Sequence, residues 1–153
     1  MRKIILPLIA SLAFAAPALA NESRVEVRGG AIWSNGNSEA TYGAAIGFDG
    51  DLGPAAFYGL ELSGDKVDAT GSKVAFGLTA RAGLKAGPST RVYGAAGYTT
   101  EACDLCDGQV HAGAGIEQNI APKLYIKGEY RHYFETNNSF GADAVVGGVG
   151  LRF

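Results

Sequence analysis

The last eleven residues, 143–153, constrain the fold of this chain more strongly than any other segment. Taken with a step of two, they separate into two sides, as the side chains of a β-strand do. We therefore expect the chain to end in a β-strand whose final residue is aromatic. One side consists of Val145, Gly147, Val149, Leu151 and Phe153, and the other of Ala144, Val146, Gly148, Gly150 and Arg152.

The first twenty residues have the organisation of a cleaved secretory signal. Arg2 and Lys3 precede an apolar run over residues 4–16, and small residues at 18–20 form a cleavage site before Asn21. The run is too short to span a bilayer comfortably as a helix. The mature domain is therefore expected to cover residues 21–153. Removing the two bases changes the formal net charge from -2 to -4, and this acidic balance gives no indication of a nucleic-acid partner.

Seven further segments alternate in the same way, and turn residues such as Asn35-Gly36 and Gly87-Pro88 separate them. Asn-Gly readily takes the positive φ angles of a hairpin turn. Segments of about 9–11 alternating residues match the length of transmembrane β-strands. The predicted fold is all-β, an eight-stranded antiparallel up-and-down transmembrane β-barrel. The strands are predicted at residues 24–34, 39–49, 56–63, 74–85, 90–99, 109–118, 124–134 and 143–153.

An even number of strands places both chain ends on one side of the membrane, which we expect to be the periplasm. The aromatic residues on the outward face then fall into two groups. Two aromatic belts on either side of an aliphatic band are typical of membrane barrels. Trp33, Tyr42, Phe76, Tyr98 and Phe134 are predicted near the external ends, and Phe48, Tyr58 and Phe153 near the periplasmic ends.

The opposite face is predicted to be rich in charge. An eight-stranded barrel has room inside for side chains and little else, and an unpaired charge there is costly. We therefore expect the acids and bases to pair and close the lumen, with Glu129 and Arg131 at the centre. The alternative is a narrow pathway that conducts when pairs exchange partners. The predicted network consists of Glu26, Arg28, Glu61, Arg81, Lys85, Glu117, Lys127, Glu129, Arg131 and Arg152.

Four short segments in the second half of the chain carry a family resemblance: A-G-Y at 96–98, G-A-G-I-E at 113–117, G-E-Y-R at 128–131 and G-V-G-L-R-F at 148–153. In their order, and with the terminal Phe153, they resemble the small outer-membrane β-barrels. That family includes the membrane domain of outer-membrane protein A, the opacity-type surface antigens and outer-membrane protein X. The first half of the chain is similar only in its alternating pattern.

This resemblance implies a bacterial outer-membrane location and assembly by the outer-membrane insertion machinery, which reads the last strand and its Phe153. It also implies roles in envelope integrity, weak permeation of small solutes, or adhesion through external loops. Two features depart from the family. The chain ends at Phe153 without the peptidoglycan-binding domain of outer-membrane protein A, and its external loops are short, which weakens an adhesin role.

Cys103 and Cys106 lie in a predicted external loop, in an oxidising compartment. A disulfide that closes this loop is our first interpretation. A metal site that adds Glu101, Asp104 and Asp107 is less well supported, because two thiolates without a second Cys pair are an incomplete ligand set. We predict no metal and no cofactor.

His132 is predicted on the lipid-facing side near the external rim. The segment around it faintly resembles the lipid A deacylase barrels, in which a Ser nucleophile follows the His by two residues. Here that position is Phe134, and a base without a hydroxyl beside it has no nucleophile to activate. We therefore expect no enzymatic activity and interpret His132 as an interfacial residue. His111 is expected in the polar lumen.

The sequence favours a monomeric outer-membrane barrel with a structural or weakly porin-like role, in contact with the lipid bilayer. The main alternative is a surface adhesin or receptor that acts through its external loops, and a lipid-modifying hydrolase is a remote one. A soluble periplasmic barrel that binds a small ligand would need the reverse arrangement, with apolar residues inside and charges outside.

Overall fold

A computed structural model describes residues 22–153, and the predicted signal segment lies outside these residues. In this part of the chain the polypeptide forms eight β-strands. The elements are β1 (Glu22–Ser34), β2 (Asn37–Leu52), β3 (Ala56–Val67), β4 (Val74–Lys85), β5 (Thr90–Thr99), β6 (Gln109–Asn119), β7 (Leu124–Tyr133) and β8 (Ala142–Arg152).

Each strand pairs in antiparallel fashion with the next, and β1 also pairs with β8, so the sheet closes into a barrel. Backbone hydrogen bonds join Ser23 and Phe153 in both directions, at 2.9 and 3.1 Å, so the first and last strands end together. The predicted eight-stranded up-and-down barrel is confirmed. No helix in residues 22–153 is long and apolar enough to cross a membrane.

The connections differ at the two ends of the barrel. Short turns at 53–55, 86–89 and 120–123 lie at the end that holds the termini, which we call the terminal end. At the other end, the loop end, β1 and β2 are joined by Asn35 and Gly36, whose φ angles of 50° and 79° are those expected for an Asn-Gly turn. Longer loops at 68–73, 100–108 and 134–141 complete the loop end.

Burial alternates through the middle of the strands, most regularly along β8. Val145, Val149 and Leu151 are 43–50% exposed on the outer surface, whereas Ala144 and Arg152 are buried in the interior. The apolar side therefore points outward and the charged side inward. This is the arrangement expected in a bilayer and the opposite of the one that a soluble ligand-binding barrel needs.

The predicted aromatic belts lie on the outer surface. Most of their members are more than a third exposed, and Phe48 is half-buried. Trp33 lies at the end of β1 next to the loop end, and Phe153 follows β8 at the terminal end. The polar ring edges of Trp and Tyr suit the boundary between lipid and water, which explains their place at the ends of an aliphatic band.

Two strands continue well beyond their predicted ends, β2 by three residues and β3 by four. The second strand is predicted to end at Asp49, but β2 continues to Leu52 and Asp49 is buried. Likewise β3 continues past Ser63 to Val67, through residues predicted as a loop. In both places a polar side chain that is typical of a turn instead faces an interior base, so Asp49 and Asp65 belong to the lumen.

Candidate functional site

Several large side chains of the lumen lie opposite small residues on neighbouring strands. Arg28 is flanked by Gly43 on β2 and Gly148 on β8, and Glu61 is flanked by Gly47 and Thr79. A narrow barrel can hold long side chains only where its neighbours are small. The abundant glycine of this chain therefore makes room for an interior network of charges.

Glu61 is the centre of this network. Its carboxylate lies 2.9 Å from Arg24 Nη1, 2.6 Å from Arg28 Nη1 and 3.1 Å from Arg131 Nη2. Lys127 Nζ is 3.5 Å away. Four bases from β1 and β7 thus converge on one acid from β3, across the full width of the lumen. The prediction of Glu129 as the central acid was wrong, because among residues 22–153 the ion pairs and hydrogen bonds of Glu129 reach Arg131, Lys127 and the Tyr93 hydroxyl, whereas Glu61 holds four bases.

A second centre lies towards the terminal end. Arg81 donates to both oxygens of Asp49, with its Nε 3.0 Å from Oδ1, and also to Glu117. Glu117 in turn accepts a hydrogen bond from Arg152. Asp49 lies 3.4 Å from Arg24 Nε and so connects the two centres. Such bidentate pairs fix the geometry of a guanidinium as well as neutralising it.

The ion pairs form one continuous network in which the two signs balance. Because seven acids are paired with seven bases, the formal charges of the network cancel, and removal of one partner leaves a buried charge uncompensated. The acids are Glu22, Glu26, Asp49, Glu61, Asp65, Glu117 and Glu129, and the bases are Arg24, Arg28, Arg81, Arg91, Lys127, Arg131 and Arg152.

Lys85 is the one predicted member that the structure leaves outside this network. It is on the inward side of β4 but at its last residue, where it pairs with Asp51 at 2.7 Å and remains partly exposed. The alternating pattern gives the face of a residue and not its depth along the barrel. Lys85 therefore belongs to the rim of the terminal end and not to the lumen.

Sequence reasoning missed several members of the network. Arg24, Asp49 and Arg91 all have the parity of an inward side chain on their own strands, and all three are buried. This parity is the signal that could have found them. Arg91 and Asp49 were overlooked because they lie next to predicted turns, and Asp65 because β3 was predicted to end before it.

Aromatic rings fill the space between the charges. Tyr125 and Phe57 are fully buried, and the Tyr125 hydroxyl donates to Glu26 at 2.9 Å. The guanidinium of Arg152 lies 4.5 Å from the centre of the Tyr125 ring, and that of Arg81 lies 5.3 Å from the centre of the Phe57 ring. These cation–π contacts pack the bases that close the terminal half of the lumen.

Beside β6, near the loop end, the lumen holds a group of hydrogen bonds around His111. His111 is fully buried between Thr79 and Thr99, whose hydroxyls lie 3.0 Å from Nε2 and 3.1 Å from Nδ1. The ring of Tyr133 lies 5.4 Å away. His111 thus lies inside the barrel, as expected, but among hydroxyls and not among acids.

The lumen has little free volume where the ion pairs lie. A cavity beside Arg28, Asp65 and Arg131 has a volume of about 20 Å³, which is room for about one water molecule. Much larger clefts, of about 520 and 410 Å³, lie at the rim of the terminal end beside Pro88 and Asn119. The interior is therefore closely packed beside Arg28, Asp65 and Arg131.

Comparisons with known proteins identify the family of this chain. A family model described as the outer membrane protein beta-barrel domain matches residues 6–153. The chain belongs to this family. The bacterial outer membrane is therefore its location. A comparison with curated proteins finds no match.

Solved structures with the same fold are similar to this chain at low sequence identity. The N-terminal β-barrel domain of Pseudomonas aeruginosa OprF is 19% identical, with a TM-score of 0.67, over 88% of this chain and 98% of that one. The attachment invasion locus protein Ail of Yersinia pestis is 12% identical, with a TM-score of 0.59, over 88% and 99%. The outer membrane enzyme PagL is 15% identical, with a TM-score of 0.54, over 83% and 97%.

The three longer loops of the loop end are tied together, and we refer to them as the loop cap (residues 68–73, 100–108 and 134–141). Cys103 and Cys106 are joined by a disulfide within the loop cap. The backbone N–H of Asp107 donates to Ser139 Oγ at 2.9 Å, and Lys73 pairs with Asp104. The hydrogen bond between the Lys73 ammonium group and the Asp104 carboxylate raises the pKa of Lys73 above its usual value. Among the described residues, no group of three or more His, Cys, Asp or Glu side chains is placed to hold a metal ion.

His132 lies on the outer surface near the loop end, as expected. Its Nδ1 is 2.8 Å from Asp143 Oδ1, and Tyr130 donates its hydroxyl to the same carboxylate. Phe134 packs edge-to-face against the imidazole at 4.9 Å. The His–Asp pair was not foreseen from the sequence, because Asp143 was treated only as the start of the last strand. The Tyr130 hydroxyl donates its hydrogen bond to Asp143 and not to His132.

Proposed function

We propose that this protein is a structural component of the outer membrane whose lumen is closed at rest by its ion-pair network. The observation that supports this proposal is the balanced set of seven acids and seven bases that crosses the interior. Each guanidinium or carboxylate has a partner from another strand, so the network holds the strands in one register. A barrel built in this way stabilises the envelope without a standing open pathway.

Opening of the lumen has an energetic cost. A conducting pathway requires several pairs to separate or exchange partners, and each unpaired charge in the narrow lumen costs several kcal/mol. Glu61 alone holds four bases. A change at one pair would therefore disturb both centres of the network. The proposal favours closure over the weakly porin-like role that the sequence leaves open.

Single-channel recording in a planar bilayer tests this proposal. The mature protein, refolded from detergent, is expected to insert without steady conductance. The Glu129→Ala variant removes one of the carboxylates that Arg131 and Lys127 contact. It is expected to show brief channel openings. Lys85→Ala, at the rim, is the matched control and is expected to stay silent. Steady channels in the unmodified protein would show a permeation pathway and overturn the closed-lumen proposal.

A second candidate function is binding through the loop cap. The observation in its favour is that hydrogen bonds and a disulfide hold the cap together while Leu105 and Phe140 stay 88% and 67% exposed. Ordered loops that display large apolar side chains suit recognition of an external partner. Adhesion of bacteria that display the protein to host cells, compared with a Leu105→Ser and Phe140→Ser double variant, tests this candidate. Equal adhesion of the two strains would count against it.

The proposal includes no catalytic step and no cofactor. Its partners are the lipid bilayer and, as a prediction from the family, the insertion machinery that reads the last strand. Phe153 is 67% exposed and its backbone is hydrogen-bonded to Ser23. Its side chain thus takes no part in the interior of the folded barrel, which is consistent with a role during assembly.

A further inference from the structure

The loop cap carries the whole formal charge of the mature chain. Its five acids and one base give it a formal charge of -4, which equals that of residues 21–153. The ion-pair network inside the barrel is neutral, and the remaining charges on the strands and turns cancel. The loop end is therefore the strongly negative end of the molecule. The acids of the loop cap are Asp68, Glu101, Asp104, Asp107 and Glu135, and its base is Lys73.

Most carboxylates of the loop cap have no cationic partner. Lys73 pairs with Asp104, and no other Lys or Arg side chain among residues 22–153 pairs with an acid of the cap. The carboxylate of Asp107 accepts hydrogen bonds from Asn138, at 3.3 and 3.5 Å, and Glu101 is exposed. In contrast to the lumen, the loop cap thus presents a negative field to its surroundings.

Two large apolar side chains project from one part of the loop cap. Leu105 is 88% exposed, more than any other large apolar side chain of the described residues, and Phe140 is 67% exposed. Hydrogen bonds of 2.9 and 3.0 Å join the backbone of Asp107 to the Ser139 hydroxyl. Since Leu105 precedes Asp107 by two residues and Phe140 follows Ser139, the two apolar side chains lie near this link. They lie in loops beyond the strand ends, so the acyl chains around the strands do not account for their exposure.

Carboxylates border both apolar side chains. Asp104 directly precedes Leu105. Gln109 Nε2 donates to the backbone oxygens of Phe140 and of the residue before Glu135, at 2.9 and 3.1 Å, and so holds Glu135 near Phe140. A surface on which apolar and negative groups lie side by side is complementary to one on which apolar and positive groups do so.

We propose that the loop cap binds a basic amphipathic segment of an external protein, in which Lys or Arg side chains alternate with apolar ones. This inference rests on the candidate function of the loop cap in binding, and it specifies the chemistry of the partner. The apolar side chains of such a segment cover Leu105 and Phe140, and its cations approach the carboxylates beside them. Attraction to the charge of -4 also speeds association.

The charge of the loop cap disfavours other occupants. A second copy of this chain would bring an equal negative charge against the first, and like charges that face each other in an interface are repelled. An anionic lipid or polysaccharide surface is repelled for the same reason. A neutral apolar partner would desolvate the carboxylates beside Leu105 and Phe140 without pairing them, which costs free energy.

Binding of labelled peptides to the mature barrel in phosphatidylcholine nanodiscs tests the proposal. Three synthetic peptides of equal length are compared: one alternates Leu with Lys, one alternates Leu with Glu, and one alternates Ser with Lys. Empty nanodiscs of the same lipid give the background that is subtracted. The Leu-Lys peptide is expected to bind about ten-fold more tightly than either of the others, because it alone supplies both kinds of contact.

Two double variants assign this binding to the loop cap. Leu105→Ser with Phe140→Ser should lower the association constant of the Leu-Lys peptide about ten-fold. Glu101→Gln with Glu135→Gln should lower it about five-fold, and about 0.5 M NaCl should remove most of the difference that these two acids make.

The matched controls lie at the terminal end of the barrel. Leu52→Ser changes an apolar side chain that is 59% exposed, and Asp51→Asn removes a neighbouring acid. Both should leave binding of the Leu-Lys peptide unchanged. Equal binding of the three peptides, stronger binding of the Leu-Glu peptide, or binding of the Leu-Lys peptide that neither double variant weakens would each overturn the proposal.

The comparison of the three peptides uses the unmodified protein and stands even where a variant fails to fold, which electrophoresis of unheated samples shows. The adhesion assay then separates two failures. Adhesion that depends on Leu105 and Phe140, together with equal binding of the three peptides, would overturn the basic partner alone. A preference for the Leu-Lys peptide, together with adhesion that is the same without these two side chains, would support the basic partner and overturn the role in adhesion.

Discussion

Glu61 and Asp143 are both carboxylates on barrel strands, but they lie on opposite faces of the wall and have opposite surroundings. Glu61 is buried, and four bases use both of its oxygens. Asp143 is about one third exposed, has no Lys or Arg partner among the described residues, and keeps one oxygen open. Inside the barrel, charged groups are thus paired with one another across strands. On the outer surface, one oxygen of the Asp143 carboxylate stays accessible to the surrounding medium.

The same contrast holds for glycine. Interior glycines such as Gly47 and Gly150 lie against the ends of large side chains, whereas an added Cβ at Gly128 or Gly147 on the outer surface would have no side-chain atom within 4 Å. The size and the charge of side chains are therefore both tightly constrained on the inner face of the barrel and only loosely constrained on its outer face. The difference indicates that stability against unfolding depends on the inner face, and that surface substitutions change it little.

The largest effect is expected from Glu61→Ala. The change leaves four bases around one vacant position, and breaking a buried network by removing one partner typically costs about 3–5 kcal/mol. The free energy of unfolding, measured by urea titration of the refolded barrel in lipid vesicles, is expected to fall by that amount. Glu129→Ala should cost about half as much, because Glu61 still contacts Arg131 and Lys127.

An order reversed between these two variants would restore Glu129 as the centre of the network. Losses below about 1 kcal/mol for both would show that the interior ion pairs do not stabilise the barrel. Either result would remove the contrast between the inner and outer faces.

A smaller effect is expected from Gly150→Ala, with Gly147→Ala as its matched control on the same strand. An added Cβ at Gly150 would clash with the Tyr125 ring, which is fully buried and hydrogen-bonded to Glu26. The ring has no free space, so overpacking should cost about 1–3 kcal/mol. At Gly147, on the outer surface, the nearest atoms are 3.9 Å away, and the same titration should change by less than about 0.5 kcal/mol. Equal losses would mean that the two faces are equally constrained.

The strand count and the facing of each strand could be predicted, because the two-residue period is a local property of the sequence. The partners of each charge could not be predicted in the same way. Glu61 on β3 meets Arg131 on β7 across the lumen, and this distance depends on how the closed barrel staggers its strands. The His132–Asp143 pair depends on the register between β7 and β8, which the alternating pattern does not fix.

The smallest effect is expected from Lys85→Ala, and its comparison is Lys127→Ala. Both lysines have inward parity, so the sequence treats them alike. Lys127 is buried and contacts Glu26 at 2.8 Å, whereas Lys85 pairs with Asp51 in contact with solvent. Removing Lys127 should cost about 3 kcal/mol, and removing Lys85 less than about 0.5 kcal/mol. Because high salt screens only the exposed pair, 1 M KCl should abolish the effect of Lys85→Ala and leave that of Lys127→Ala nearly unchanged. A comparable loss for the two lysines would show that depth along the barrel, which the alternating pattern does not encode, has no influence on the strength of these pairs.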